Sequence, residues 1–255
     1  MKSLLLATAA LATFAAAPAF AQDSVGSIGV SYANTDVDVA GLSADGDIGT
    51  ISANFALPVT ADWTVTLDGT FAYVFEGDPD VDDSSVSGRV HASRQFGNVR
   101  VAGFAGGAEA FDEQLWSFGG TVQSYMDKVT LTGSLAYETI ESADADIWTL
   151  GGDAAYYVNP DFRLNAGAGW TTIDAGGLDS DGWQANVGGE YRLAGTNMSV
   201  TANYTHAEFN DFDIAADTVM LGLRFSFGGD LQTRERSGAD LGRTAAGIGA
   251  LAGAF

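Results

Sequence analysis

The sequence predicts an all-β fold: a closed, antiparallel, up-and-down β-barrel of about 12 strands that spans a membrane. Three observations carry this reading. Past Ser24 the chain repeats segments of about ten residues in which apolar side chains alternate with small or polar ones, so each segment offers one apolar face. The breaks between segments alternate strictly between short turns and longer acidic stretches. Aromatic residues gather near both ends of the segments, with Val, Leu, Ala and Gly between them.

The first element is an address. Residues 1–21 read MKSLLLATAALATFAAAPAFA: Lys2, an apolar run, Pro18, then the small-x-small pattern Ala19-Phe20-Ala21 of a cleavable signal peptide. Ser3 to Ala17 is too short for a membrane-spanning helix, and no later apolar run is long enough either. If the mature protein lies in a membrane, strands put it there.

The barrel occupies residues 22–227, with strands expected near 25–35, 47–57, 62–75, 85–96, 99–108, 115–126, 129–140, 146–158, 162–173, 182–193, 198–208 and 218–227. In the third, Trp63, Val65, Leu67, Gly69, Phe71, Tyr73 and Phe75 share one parity, against Thr64, Thr66, Asp68, Thr70 and Ala72. Short breaks such as Gly97-Asn98, Asp127-Lys128 and Asn159-Pro160-Asp161 carry turn formers. The six breaks 36–47, 76–84, 109–114, 138–146, 174–181 and 208–217 hold 23 of the 33 acidic residues and no Lys or Arg. One end of the sheet is therefore tight and the other acidic.

A soluble sandwich would need charges on its polar face, which here is mostly Ser, Thr, Gly and Asn. Trp116, Trp148, Trp170 and Trp183 flank the acidic breaks, and Trp63, Phe96, Phe162, Tyr191 and Phe227 flank the tight turns, as two interfacial girdles would. A closed barrel is the β structure that leaves no unpaired edge in hydrocarbon. Its lipid face is expected to carry Trp63, Val65, Leu67, Phe71, Leu131, Leu135, Leu164, Trp183, Leu221 and Phe225.

Signal peptide, even strand count, short turns, long loops and an aromatic last strand together resemble the outer-membrane, porin-like β-barrels of Gram-negative bacteria, over Val25 to Phe227. Val219, Leu221, Leu223, Phe225 and Phe227 look like that family's assembly signal. The resemblance implies residence in the bacterial cell outer membrane, contact with its lipid and lipopolysaccharide, and recognition by the insertion machinery. It also implies periplasmic short turns. Such chains usually end at this signal. Here residues 228–255 follow, a periplasmic tail or a plug segment.

The residue inventory narrows the chemistry. A net charge of −22 excludes tracking a nucleic-acid backbone. The absence of cysteine removes thiolate chemistry, two histidines preclude a three-His metal site, and no cofactor is expected. Arg89, Arg100, Arg163, Arg192 and Arg224 share the lumen parity with Asp68, Asp153 and Glu190. They read either as a charged constriction or as ion pairs filling a narrow barrel. Asp78, Asp80, Asp82 and Asp83 offer oxygen ligands for weak cation binding without the glycine and terminal Glu of an EF-hand. His91 and Ser93 share a strand face, the one pairing that a lipid hydrolase could use, but on the lumen side; catalysis is not expected. His206 falls on the outward parity. The expected function is passive diffusion of small hydrophilic solutes, with weak cation preference from an acidic outer mouth. The inner arginines are the opposing influence. The alternatives are a non-conducting structural or surface-interaction barrel and, more remotely, the hydrolase. Solute identity and homo-oligomerisation stay open.

Overall fold

The computed structural model describes residues 24–75, 84–110 and 113–244. Twelve strands follow in chain order: β1 (Val25–Val39), β2 (Leu42–Pro58), β3 (Trp63–Val74), β4 (Ser84–Phe96), β5 (Val99–Ala110), β6 (Glu113–Tyr125), β7 (Val129–Ile140), β8 (Ala145–Asn159), β9 (Phe162–Ala175), β10 (Leu178–Arg192), β11 (Met198–Phe209) and β12 (Ile214–Phe227). Each pairs antiparallel with its neighbour in sequence, and β1 closes on β12, with Gly26 opposite Phe227 and Val39 opposite Ile214. Every strand has two partners, so no backbone edge faces lipid.

Alternation decides which way each side chain points. Ile28, Val30, Ile51, Trp63, Phe71, Leu131, Leu135, Leu164, Leu221, Leu223 and Phe225 are exposed on the exterior, whereas Ser27, Thr66, Ser93, Gln123, Thr132 and Ser199 are buried within. The inverted pattern, apolar outside and polar inside, is that of a barrel whose solvent is lipid. Val65, Leu67 and Trp183 follow the same outward parity but are half-buried.

The acidic breaks differ from expectation. Most are not loops: β1 and β2 run on through Asp36, Asp38, Asp45 and Asp47 and are joined by a tight turn at Ala40-Gly41, with φ of 52° and 82°. Gly176-Gly177, at 58° and 87°, joins β9 to β10 in the same way. Two successive positive-φ residues match the right-handed twist of a hairpin, so the strands need not splay. As a result Asp36, Asp38, Asp45, Asp47, Asp146, Asp174, Asp179 and Asp217 stand on strands, and on the outward parity. Asp217, Asp36 and Asp45 are in register across β12, β1 and β2, as are Asp146, Asp174 and Asp179 across β8, β9 and β10. Like charges directly opposed are costly unless solvated, which places these rows beyond the apolar band. Girdle tyrosines cap them: Tyr137 Oη donates to Asp146 at 2.6 Å and Tyr204 Oη to Asp217 at 2.5 Å.

Past Phe227 the chain reverses at Gly228-Gly229, both at positive φ, and enters the barrel. A Cβ on Gly228 would stand 2.7 Å from the Ser24 carbonyl, so this reversal needs glycine. Helix α1 (Leu231–Arg236) is capped by Asp230, whose side chain accepts from the Thr233 N–H, and a 3₁₀ turn follows at Leu241–Thr244. Leu231 packs on Ala155 and Tyr157, and Ala239 on Val25 and Ala56. These are inward residues at the short-turn end, so Gly228 to Thr244 form a plug there.

Candidate functional site in the barrel lumen

The plug is held by buried charge. Arg234, with no exposed surface, donates to both oxygens of Glu190 at 2.9 and 2.6 Å, to Asp240 at 3.1 Å and to Ser226 Oγ at 2.7 Å. Arg163 reaches Glu190 at 3.1 Å and Asp240 at 2.9 Å, and Arg224 reaches Glu190 at 3.4 Å. Burial alone would raise the Asp240 carboxyl, but Arg234 and Arg163 hold it down at about 2. Removing any one partner would strand a charge without water, so the cluster fixes one position of the plug. A second cluster joins Arg243 to Asp153 at 2.5 Å and to Glu235, which also accepts from Tyr157 Oη at 2.7 Å. Neutral contacts complete the socket: Thr66 Oγ1 donates to the Gly238 carbonyl, Leu231 N–H to Pro160 O and Gln232 Nε2 to Asp127 O.

The structure puts each lumen charge singled out from the sequence on the inner parity, with unexpected partners. Glu190 takes Arg163 and Arg224; Asp153 takes Arg243 from the tail. Asp68 pairs with His91, whose Nε2 donates to it at 2.5 Å. Arg100 is met by neutral groups: Tyr125 Oη, Ser93 Oγ, Gln95 Oε1 and the Arg236 carbonyl, at 2.8 to 3.1 Å. Arg192 pairs with Asp161 at 2.5 Å and donates to the Gly229 carbonyl. Arg89 has no carboxylate partner among the described residues; its guanidinium lies over the Phe104 ring, 5.7 Å from the centroid. Sequence reasoning offered the tail as a plug but did not place its Arg234, Glu235, Asp240 and Arg243 among the lumen charges. The available signal was three arginines after Phe227 in a chain with 11 basic residues altogether.

Above the plug lies an open chamber. Two adjoining cavities of about 340 and 310 Å³ share Ser52, Asp68, Thr70, Arg224, Gly242 and Arg243. The larger has a wall of carboxamides, Asn54, Asn165, Gln184, Asn186 and Asn203, and the smaller adds Arg89 and Ser87. The polar side chains lie flat because glycine stands opposite them in register: Arg89 faces Gly106, Asn186 faces Gly167, Gln184 faces Gly169, Asn203 faces Gly188 and Arg224 faces Gly29. A Cβ at Gly167 would stand 2.7 Å from Asn186 Oδ1, and one at Gly106 2.6 Å from Arg89 Cγ. Each glycine therefore keeps its neighbour against the wall and the lumen open. Nearer the acidic end the inner wall turns apolar, with buried Ile48, Leu115, Ile147 and Phe209. Of the carboxylates expected to make a negative outer mouth, the eight strand-borne aspartates named above turn outward by parity, whereas Glu113 and Glu138 keep the inward one.

His91 and Ser93 do point inward together, both buried, but their bonds diverge. Ser93 Oγ donates to the Thr64 carbonyl at 3.2 Å and accepts from Arg100 at 2.9 Å, while His91 is held by Asp68 and lies against Phe104. His206 faces outward, 2.9 Å from Asp217 and against Trp183. Of the assembly-signal residues, Val219, Leu221, Leu223 and Phe225 are exposed on β12, and Phe227 packs on Phe55. Asp78, Asp80, Asp82 and Asp83 lie outside the described residues.

A closed twelve-stranded barrel with an apolar exterior, two girdles and a polar interior defines the class: this is a β-barrel of the bacterial outer membrane. No family model and no curated protein matches the sequence. Solved structures do resemble it. An outer-membrane channel from Pseudomonas putida F1 superimposes with a TM-score of 0.55 at 10% identity, over 80% of this chain and 96% of that one. The translocator domain of the autotransporter NalP from Neisseria meningitidis gives 0.52 at 12% identity, over 87% and 98%. The KdgM porin, in complex with disordered oligogalacturonate, gives 0.50 at 12% identity, over 78% and 99%. At such identities the likeness concerns the fold.

Proposed function

We propose that the protein is a porin-like channel of the outer membrane, passing small hydrophilic solutes without covalent chemistry, with its own C-terminal segment seated in the periplasmic mouth. The observation that carries this reading is the glycine-backed polar chamber: a barrel built only as a scaffold has no need to hold its lumen open. The plug then sets whether solute passes, since its clusters occupy the short-turn end. The firm seating of Arg234 and Asp240 also favours a second reading, a non-conducting barrel closed at rest. Planar-bilayer conductance separates them. The full mature chain and an Arg234→Ala variant are inserted side by side. Small or intermittent steps in the first, enlarged in the second, support the channel. Silence in both refutes it and leaves the structural barrel.

A further inference from the structure

We propose that the lumenal chamber binds a small hydroxylated anion, taking its acidic group on Arg89 and Arg224 and its hydroxyls on the carboxamide wall. This names the solute class of the channel proposed above. The basis is unfilled hydrogen-bonding capacity. Four arginines line the two cavities, and two are fully engaged: Arg243 by Asp153 and Glu235, Arg163 by Asp240 and Glu190. Asp68, the remaining lining carboxylate, is held by His91 at 2.5 Å. Arg224 has only Glu190, at 3.4 Å, and that carboxylate already accepts from Arg163 and Arg234 at shorter range. Arg89 has no hydrogen-bond or carboxylate partner among the described residues and is steadied by Phe104 beneath it. Two guanidiniums facing one cavity, Arg89 without a hydrogen-bond partner among the described residues and Arg224 with one long, shared one, are suited to a carboxylate or phosphate, which a guanidinium fork can take in bidentate fashion.

The carboxamides of β9 and β10 specify the rest of the ligand. Asn165, Gln184 and Asn186 make no side-chain hydrogen bond among the described residues, although each could both donate and accept. Vicinal hydroxyls satisfy such amides in pairs. A purely inorganic anion would leave them to water.

The test is equilibrium binding to the refolded full chain in detergent by titration calorimetry, which does not require the pore to conduct. D-gluconate is compared with sorbitol, the same skeleton without the charge, and with inorganic phosphate, the charge without the skeleton. Gluconate should bind best, at least about tenfold tighter than either, and weaken as sodium chloride is raised. Arg89→Gln and Arg224→Gln should each lose about tenfold for gluconate. Arg94→Gln, on the outer face of β4, should lose nothing. If Arg224→Gln fails to fold, Arg89→Gln decides, because Arg89 supports no buried pair. Equal affinity for gluconate and sorbitol, or unchanged gluconate affinity in Arg89→Gln, overturns the proposal. Phosphate binding as tightly as gluconate overturns the role of the amide wall. Gluconate binding with a silent bilayer would sink the channel and leave this site standing; conduction without gluconate binding would do the reverse.

Discussion

Asp68 and Arg89 stand directly opposite one another on β3 and β4, yet the Asp68 carboxylate bonds His91, 2.5 Å from its Nε2. The expected cross-strand ion pair is not made. His91 lies on the neighbouring inward position and is wedged there by Phe104, 5.3 Å away between ring centroids, while Gly106 lets the Arg89 stem lie over β5 instead. One histidine thus withholds a carboxylate from an arginine and leaves that arginine facing the chamber.

A first prediction follows from this competition. His91→Leu keeps an apolar group against Phe104 and frees Asp68, which should turn to Arg89. Gluconate affinity should then fall about threefold to tenfold, since the new pair is partly solvated and worth about 1 kcal/mol. Titration calorimetry on the variant checks it; undiminished affinity would mean that His91 does not control Arg89.

The glycines of the wall support a second. Gly167→Ala places a methyl 2.7 Å from Asn186 Oδ1 and must push that amide into the lumen. In an Arg234→Ala background, where the plug is loosened, single-channel conductance should drop measurably while strand content by circular dichroism is unchanged. An equal conductance would show that the narrowest point lies elsewhere.

The lipid face gives a third. Leu135, exposed near the middle of β7, should cost about 2–4 kcal/mol of insertion free energy when changed to Arg, and Leu131, closer to the short turn, should cost less. Thr130→Arg, which parity alone suggests would be tolerated, should instead disrupt folding, because Thr130 has no exposed surface and there is no room for a longer side chain. Denaturant titrations of the three variants in lipid vesicles rank them.

Strand existence, order and facing were legible because period-two alternation is a local signal and one face must meet lipid throughout. The alternation of Trp63 to Phe75 against Thr64 to Ala72 is enough by itself to orient β3. The reach of the strands past Asp36 and Asp174 was not legible. Acidic residues have poor strand propensity, and only closure against a partner carries β1 and β2 up to Ala40-Gly41. Site partners were harder still. Parity says that Glu190 and Arg163 face inward, but not that Arg234 and Asp240, far along the chain, come to sit between them. Those contacts depend on the reversal at Gly228-Gly229, which a sequence rich in glycine does not single out.

The last prediction concerns pH and the seat of the plug. Against its burial, Arg234 and Arg163 hold the Asp240 carboxyl in the plug at about 2, below the ordinary aspartate value of about 3.9 that the unfolded chain takes. A depressed folded-state value means stability that is fully present above the unfolded value and is lost as the pH falls through the folded one. The shift corresponds to roughly 2 kcal/mol. The plug should therefore stay seated from neutral pH down to about 4, weaken between about 4 and 2, and come free below that, while the strands persist. Asp240→Asn removes the charge at every pH, so it should release the plug already at neutral pH and abolish the acid transition. Hydrogen exchange of the Arg234 and Ser237 amides, which donate to Asp230 and Thr233 carbonyls when α1 is formed, reads the plug separately from the barrel. Protection lost near pH 6, or an acid transition retained in Asp240→Asn, would show that another group governs the seat.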